Sequence, residues 1–141
     1  MSDAARQPIP QGDYLPSKRH GDLIYTSGMT PRRDGVLLYH GPVRRDAPLD
    51  DYREAVLLAC GNALTAAKAL LKAGEEIAGI LNMTVYVAAE PGYEAHSKLA
   101  DFASAYLREA LGPQAIGARA AIGVATLPGN APVEIQLVAF V

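Results

Sequence analysis

The chain divides by the period of its apolar positions. From Asp22 to Met29 (DLIYTSGM), β-branched and aromatic residues cluster as they do in a strand, which Gly28 and Pro31 bring to a stop. Asp34-Gly35 supplies a tight hairpin turn, and Val36 to His40 resumes as the returning strand until Gly41-Pro42. Over Asp50 to Ala73 the period changes. Tyr52, Val56, Ala59, Ala63, Ala66 and Leu70 recur at steps of three and four, which predicts a helix with one continuous apolar stripe. Asp50 or Asp51 can cap its start, Asp51 and Glu54 have capping-box spacing, Lys68 and Lys72 suit its negative end, and Gly74 ends it. So much alanine on the stripe predicts close approach to a sheet. Ile80 to Ala89 reads as a long strand with Leu81, Met83, Val85 and Val87 on one face, broken by Pro91-Gly92. Tyr93 to Leu111 forms a second helix, closed by Gly112-Pro113, and Arg119 to Thr126 and Val133 to Val141 are the last strands. In the final strand Val133, Ile135, Leu137, Ala139 and Val141 alternate with Glu134, Gln136, Val138 and Phe140.

The order is thus β-β-α-β-α-β-β, and a short strand at Tyr14 to Lys18 could precede it. Two helices beside a mixed sheet make the fold α+β. Residues 1–13, rich in Pro, Gln and Gly, read as a mobile arm, and 14–141 as a single domain. A length of 141 residues fits one core that needs neither disulfide nor metal to fold. The last strand is apolar on one face and part-apolar on the other, so its sheet expects cover on both sides. With helices on one side only, the second cover would come from another subunit.

Composition narrows the chemistry. A formal net charge of −2 carries no phosphate-binding excess of Lys and Arg, and the pairs Arg32-Arg33 and Arg44-Arg45 read as solvated loop charges, which argues against nucleic acid. Cys60 is the only cysteine, so no intrachain disulfide or multi-cysteine zinc site is open to the chain. It falls in the Ala/Leu-rich helix, where a thiol behaves as a small buried hydrophobe. Met1 to Gln11 has no signal-type apolar core, and no stretch reaches membrane-spanning length, so a soluble, cytoplasmic protein is expected.

No phosphate-binding glycine loop, zinc-protease helix, EF-hand or nucleophile elbow is present. His20, His40 and His96 are far apart, without acidic or cysteine companions at metal-site spacing, so no metal site is expected. Arg119 stands out. It opens the run Ala120-Ala121-Ile122-Gly123-Val124-Ala125, and a guanidinium among small apolar residues needs an anion. Two readings are open from the residues alone. Arg119 forms a structural ion pair with Glu134 on a neighbouring strand, or its planar fork waits for the carboxylate of a ligand.

The segment from Ala118-Arg119-Ala120-Ala121-Ile122-Gly123 through Leu127-Pro128, followed by Pro132-Val133-Glu134-Ile135, resembles the C-terminal signature of the Rid (reactive intermediate deaminase, YjgF-type) family. Tyr14, twelve residues before Thr26-Ser27-Gly28, is similar to that family's N-terminal tyrosine and its strand-ending T-S-G. The Asn-Ala-Pro-Val-Glu string looks closest to the branch described as chorismate-mutase-like. The resemblance spans about residues 14–141.

The resemblance implies a chorismate-mutase-like (bacillus-type) fold, assembled as a homotrimer with clefts between neighbouring subunits. It implies hydrolysis of enamines and imines such as 2-aminoacrylate to a 2-oxo acid and ammonia, as in 2-iminobutanoate/2-iminopropanoate deaminases, without metal or organic cofactor. The expected partner is a small carboxylate-bearing metabolite. Carried onto this chain, Arg119 would grip the carboxylate, Glu134 would hold or activate water, Tyr14 would line the cleft, and Ser27 and Gly28 would shape its wall.

Three positions depart from the family pattern. Gly117 stands where Pro or Ala is common, Ala121 where the best-known deaminases carry Cys, and Asp101 where an Asn is expected on the second helix. Asp101 would put negative charge near a site meant for a carboxylate, so either it points to solvent or the ligand is not a simple 2-imino acid. A non-catalytic trimer that holds a small carboxylate in the same cleft is the alternative. Ribonuclease activity, a label some relatives carry, would want a basic cleft with stacking aromatics. Chorismate mutase chemistry would want several cations where only Arg119 can be assigned.

Overall fold

The computed structural model describes residues 7–141, so part of the expected N-terminal arm lies outside the described residues. Among the described residues, seven strands and two α-helices follow in the order β1 (Ser17–His20), β2 (Leu23–Thr26), β3 (Arg32–Arg33), β4 (Val36–Leu37), α1 (Arg53–Lys68), β5 (Gly79–Ala88), α2 (His96–Leu111), β6 (Ala118–Val124) and β7 (Val133–Phe140). The α+β expectation holds. Five strands form one mixed sheet in the order β1-β2-β7-β5-β6, in which only β5 and β6 run parallel. The short β3-β4 hairpin stands apart, and its turn places Asp34 at φ 53° and Gly35 at φ 82°, the left-handed conformation that an Asp-Gly pair accepts most readily.

Both helices cover one face of the sheet. Ile24, Met83, Val85, Val87, Val133, Ile135, Leu137 and Ala139 point to that side and are buried with Val56, Ala59, Cys60, Ala63 and Ala66 of α1 and Leu99, Ala103 and Leu107 of α2. Full burial of each branched side chain contributes about 1.5–3 kcal/mol. The alanines let α1 lie close against β7, as their number in the stripe predicted, and against α2 as well. On the other face run Tyr25, Asn82, Thr84, Tyr86, Glu134, Gln136, Val138 and Phe140, none of them buried. No helix of the described residues is long and apolar enough to cross a membrane.

Several boundaries differ from the sequence reading. The first helix is shorter at both ends. Leu49–Tyr52 makes a 3-10 turn without a side-chain cap, because the Asp50 carboxylate accepts instead from Arg53 Nε at 2.8 Å. At the far end α1 stops at Lys68, not Ala73, and the freed Leu70 carbonyl accepts from Arg19 Nη1 at 3.0 Å. The second helix begins at His96, not Tyr93. Leu81 does not join Met83, Val85 and Val87. A bulge between Ile80 and Asn82 turns it out to 51 % exposure and puts Ile80 in the core in its place. The short N-terminal strand forms, but over Ser17–His20.

Gly117 has a direct explanation. A Cβ there would run into the Ile80 carbonyl and lie 2.8 Å from the Leu81 oxygen, so the backbone at the bulge leaves no room for any side chain.

Arg19 on β1 and Glu75 after α1 close the structure at its N-terminal edge. The guanidinium donates to both carboxylate oxygens, at 2.6 and 2.9 Å, and the Lys72 amide donates to Oε1 at 2.7 Å. These hydrogen bonds pull the Glu75 carboxyl from 4.5 down to about 2. Because the folded value is depressed, the stabilisation is fully present above pH 4.5 and disappears as pH falls through about 2. Glu75→Gln should therefore unfold at lower urea than the native chain at pH 7, with the gap closing between those two pH values. A gap that stays constant down to pH 2 would count against the clamp.

Candidate functional site

The local fold of Thr26-Ser27-Gly28 brings most of the expected site together. β2 pairs with β7 only as far as Tyr25, opposite Val138. Buried Thr26 then turns its hydroxyl to the Leu137 amide, which donates at 3.0 Å, while Gln136 Nε2 donates to the Thr26 carbonyl at 3.2 Å. The ladder resumes at Met29 and Ile135, whose amides and carbonyls exchange two 2.8 Å hydrogen bonds. Ser27 and Gly28 are thus displaced from the ladder beside Glu134. The Ser27 hydroxyl donates to the Leu15 carbonyl at 2.6 Å and its amide to that of Pro16 at 2.8 Å, which ties down the segment next to Tyr14. Tyr14 is 44 % exposed, and its hydroxyl accepts from the Gln11 amide at 3.1 Å. Tyr14 and Gly28 share a cavity of about 380 Å³ with Met29, Thr30, Tyr39 and Asn62.

Gly28 is where the Glu134 side chain rests. A Cβ on Gly28 would collide with the Glu134 carboxylate and lie 2.7 Å from its Cδ. Glu134 is half-buried, and among the described residues its carboxylate makes no hydrogen bond or ion pair. Burial raises its carboxyl above the usual carboxylate range. Gly28→Ala should leave the fold standing, since the atom displaced is the free end of a flexible chain. It should swing Glu134 away and, if Glu134 serves in turnover, reduce it at least tenfold. Unchanged turnover with an unchanged urea midpoint would show that the position of this carboxylate does not matter.

Arg119 lies elsewhere. It pairs in register with Met83, so it projects from the helix-covered face of the edge strand β6, whereas Glu134, opposite Tyr86, projects from the other face. The ion pair between Arg119 and Glu134 does not form, and neither does the alternative of a guanidinium without a protein counter-ion. Arg119 Nη1 donates to Asp101 Oδ1 at 2.8 Å and Ser104 Oγ at 3.0 Å. Nη2 donates to Ser97 Oγ at 2.8 Å and the Ser97 carbonyl at 3.2 Å. Asp101 does have the solvent exposure considered for it, with 68 % of its side chain accessible, yet it binds Arg119 all the same. Ala121 is on the same face as Arg119, packed on the core and remote in orientation from Glu134.

Ser97 and Ser104 were not singled out from the sequence. Their signal was the spacing Ser97, Asp101, Ser104 on α2, four and then three residues apart, which sets three oxygen-bearing side chains on one helix face. Cys60 is fully buried, with its thiol pushed up to about 12 by desolvation, consistent with a packing role. Among the described residues no three His, Cys, Asp or Glu side chains converge as a metal site would require.

A family model described as Endoribonuclease L-PSP matches residues 4–141. Among solved structures, protein Atu1372 of unknown function from Agrobacterium tumefaciens is 32 % identical over 94 % of this chain and 85 % of its own, with a TM-score of 0.84. A protein from Shewanella oneidensis, given the provisional description of endoribonuclease, is 27 % identical over 96 % of this chain and 89 % of its own, with a TM-score of 0.85. TdcF of E. coli with bound serine shares the fold at 22 % identity and a TM-score of 0.71, covering 96 % of this chain and 94 % of its own. No curated protein matches.

Proposed function

The chain belongs to the endoribonuclease L-PSP (YjgF/Rid) family, and from that premise we propose that it hydrolyses the imine form of small 2-amino-2-alkenoates, such as 2-aminoacrylate, to 2-oxo acids and ammonia. The observation that carries this reading is Glu134, a half-buried carboxylate with no partner among the described residues and a raised proton affinity, resting on Gly28 at the open face of the sheet. A carboxylate whose proton affinity is raised in this way is a stronger base than a free one and suits general acid–base work. It takes a proton from water as the oxygen attacks the C=N carbon. The new C–O bond forms, the nitrogen gains protons, and the C–N bond breaks to release ammonia and leave the 2-oxo acid. Tyr14, Ser27 and Gly28 wall the cleft, and Arg119 orients the carboxylate.

Because Arg119 and Glu134 project from opposite faces of one sheet, the reading requires two chains to complete each site. A trimer in which the β6 edge of one protomer meets the open face of the next would provide this and cover the exposed Tyr25 and Ile122. Serine, the ligand named for TdcF, is a small carboxylate-bearing molecule of the expected size. The net charge of −2 and a carboxylate on the open face are poor recruits for RNA.

The test is direct. A pyridoxal-phosphate enzyme generates 2-aminoacrylate in place, and the protein should speed pyruvate and ammonia release while sedimenting as three chain masses. No acceleration over buffer, or a solution mass of one chain, removes the reading. A second reading, a trimer that binds a small carboxylate without catalysis, is favoured by one observation: Arg119 is already engaged by Asp101, Ser97 and Ser104. Ligand binding without turnover would establish it.

A further inference from the structure

The Arg119 fork is almost fully spent within its own chain. Its four terminal hydrogen bonds go to Asp101, Ser104 and twice to Ser97, which leaves only Nε–H without an acceptor among the described residues. The partners differ in kind. The serine groups are neutral and hold the guanidinium by geometry, whereas Asp101 cancels its charge. Asp101 is also far more accessible than the guanidinium it pairs with, at 68 % side-chain exposure against 21 % for Arg119. An exposed ion pair adds little to stability. Its larger effect falls on whatever approaches, because any ligand carboxylate that reaches Arg119 also comes close to the Asp101 carboxylate.

We infer that Asp101 is a specificity-determining residue which sets the charge selectivity of the Arg119 subsite, disfavouring ligands of net negative charge and favouring those whose carboxylate is accompanied by a positive nitrogen. This rests on Arg119 being the carboxylate-binding group of the proposed site. A protonated imino acid carries both charges and is nearly neutral, so Asp101 offers its nitrogen a counter-charge while Arg119 takes its carboxylate. The 2-oxo acid product has only the negative charge. Asp101 therefore weakens the product more than the substrate and speeds its departure. Two like charges about 4 Å apart in a partly solvated site repel enough to change affinity by roughly tenfold.

Two probes of equal size separate charge from shape: 2-oxobutanoate, net −1, and 2-aminobutanoate, net zero. Calorimetric affinities of both would be measured for the native protein, Asp101→Asn and Asp101→Glu. Asn keeps an oxygen acceptor for Arg119 Nη1, so the guanidinium stays in place while the charge is removed. The affinity ratio of 2-oxobutanoate to 2-aminobutanoate should rise about tenfold in Asp101→Asn and stay near the native ratio in Asp101→Glu. If the native protein binds both probes and Asp101→Asn leaves the ratio unchanged, the inference falls and the site reading stands. If 2-oxobutanoate binds more weakly to Asp101→Asn, Asp101 is a prop for Arg119 and not a selector, and the inference falls. Absence of binding by all three proteins overturns both it and the site. Selectivity shifting as expected in a protein without deaminase turnover keeps the inference and removes only the catalytic reading.

Discussion

Glu134→Gln is expected to lower imine hydrolysis by a factor of roughly 10²–10⁴, the usual contribution of a placed general base, while leaving the protein at least as stable as before. The two halves have one cause. Burial against Gly28 raises the Glu134 carboxyl above its ordinary 4.5 because the charged form is short of water and has no partner among the described residues. A raised folded value means that this group's stabilisation is complete below pH 4.5 and is lost as pH climbs through the raised value. At neutral pH the ionised carboxylate thus works against the fold, and the neutral amide relieves that cost. Urea midpoints of the two proteins should differ in favour of Glu134→Gln at pH 7–8 and converge below 4.5. The native pH–rate profile should likewise turn on above the usual carboxylate range, with that limb missing in the variant. Full turnover in Glu134→Gln would remove Glu134 from the chemistry.

Arg119→Ala should cost turnover about 10²–10³-fold, the scale of losing one placed electrostatic contact to the substrate. It should also lose about 1–2 kcal/mol of stability, because four hydrogen bonds from β6 to α2 vanish while Asp101 and Ser97 return to water. Arg119→Lys separates the two roles. A lysine ammonium keeps attraction to Asp101 and recovers part of the stability, but a point charge cannot span Ser97 and Ser104 and present the same edge to a ligand, so turnover stays nearly as low. A variant that is less stable yet fully active would make Arg119 a strut between edge strand and helix, with no part in binding. Kinetics on imine generated in place and thermal melts of the same preparations read both quantities.

Much of the fold was legible because period and punctuation agree over long stretches. The alternation from Val133 to Phe140 named the buried face of β7 residue by residue, and the alanine stripe named the face of α1 that meets it. What the pattern missed were places where a tertiary contact outbids a local signal. Asp50 was a sound cap until Arg53 took its carboxylate. The helical run to Ala73 ended early where Arg19, more than fifty residues upstream of the turn, captured the Leu70 carbonyl. Leu81 had the right parity, but one inserted residue at a bulge reverses parity, and nothing in an apolar run records such an insertion.

The candidate site divides in the same way. Residue identity by itself singled out Arg119 as a charged group needing explanation, with Glu134 as its candidate partner, and Cys60 as packing, while the family resemblance added Tyr14, Ser27 and Gly28. Only the tertiary structure decided where the charges go. Strand parity sends Arg119 and Glu134 to opposite faces, which no one-dimensional spacing between them reveals until the sheet order is known. Helix α2 then lays Ser97, Asp101 and Ser104 across the edge strand, and the counter-ion of Arg119 comes from there. Local patterning follows from bonding within a few residues. Charge pairing depends on which surfaces meet in space, and that is settled by packing alone.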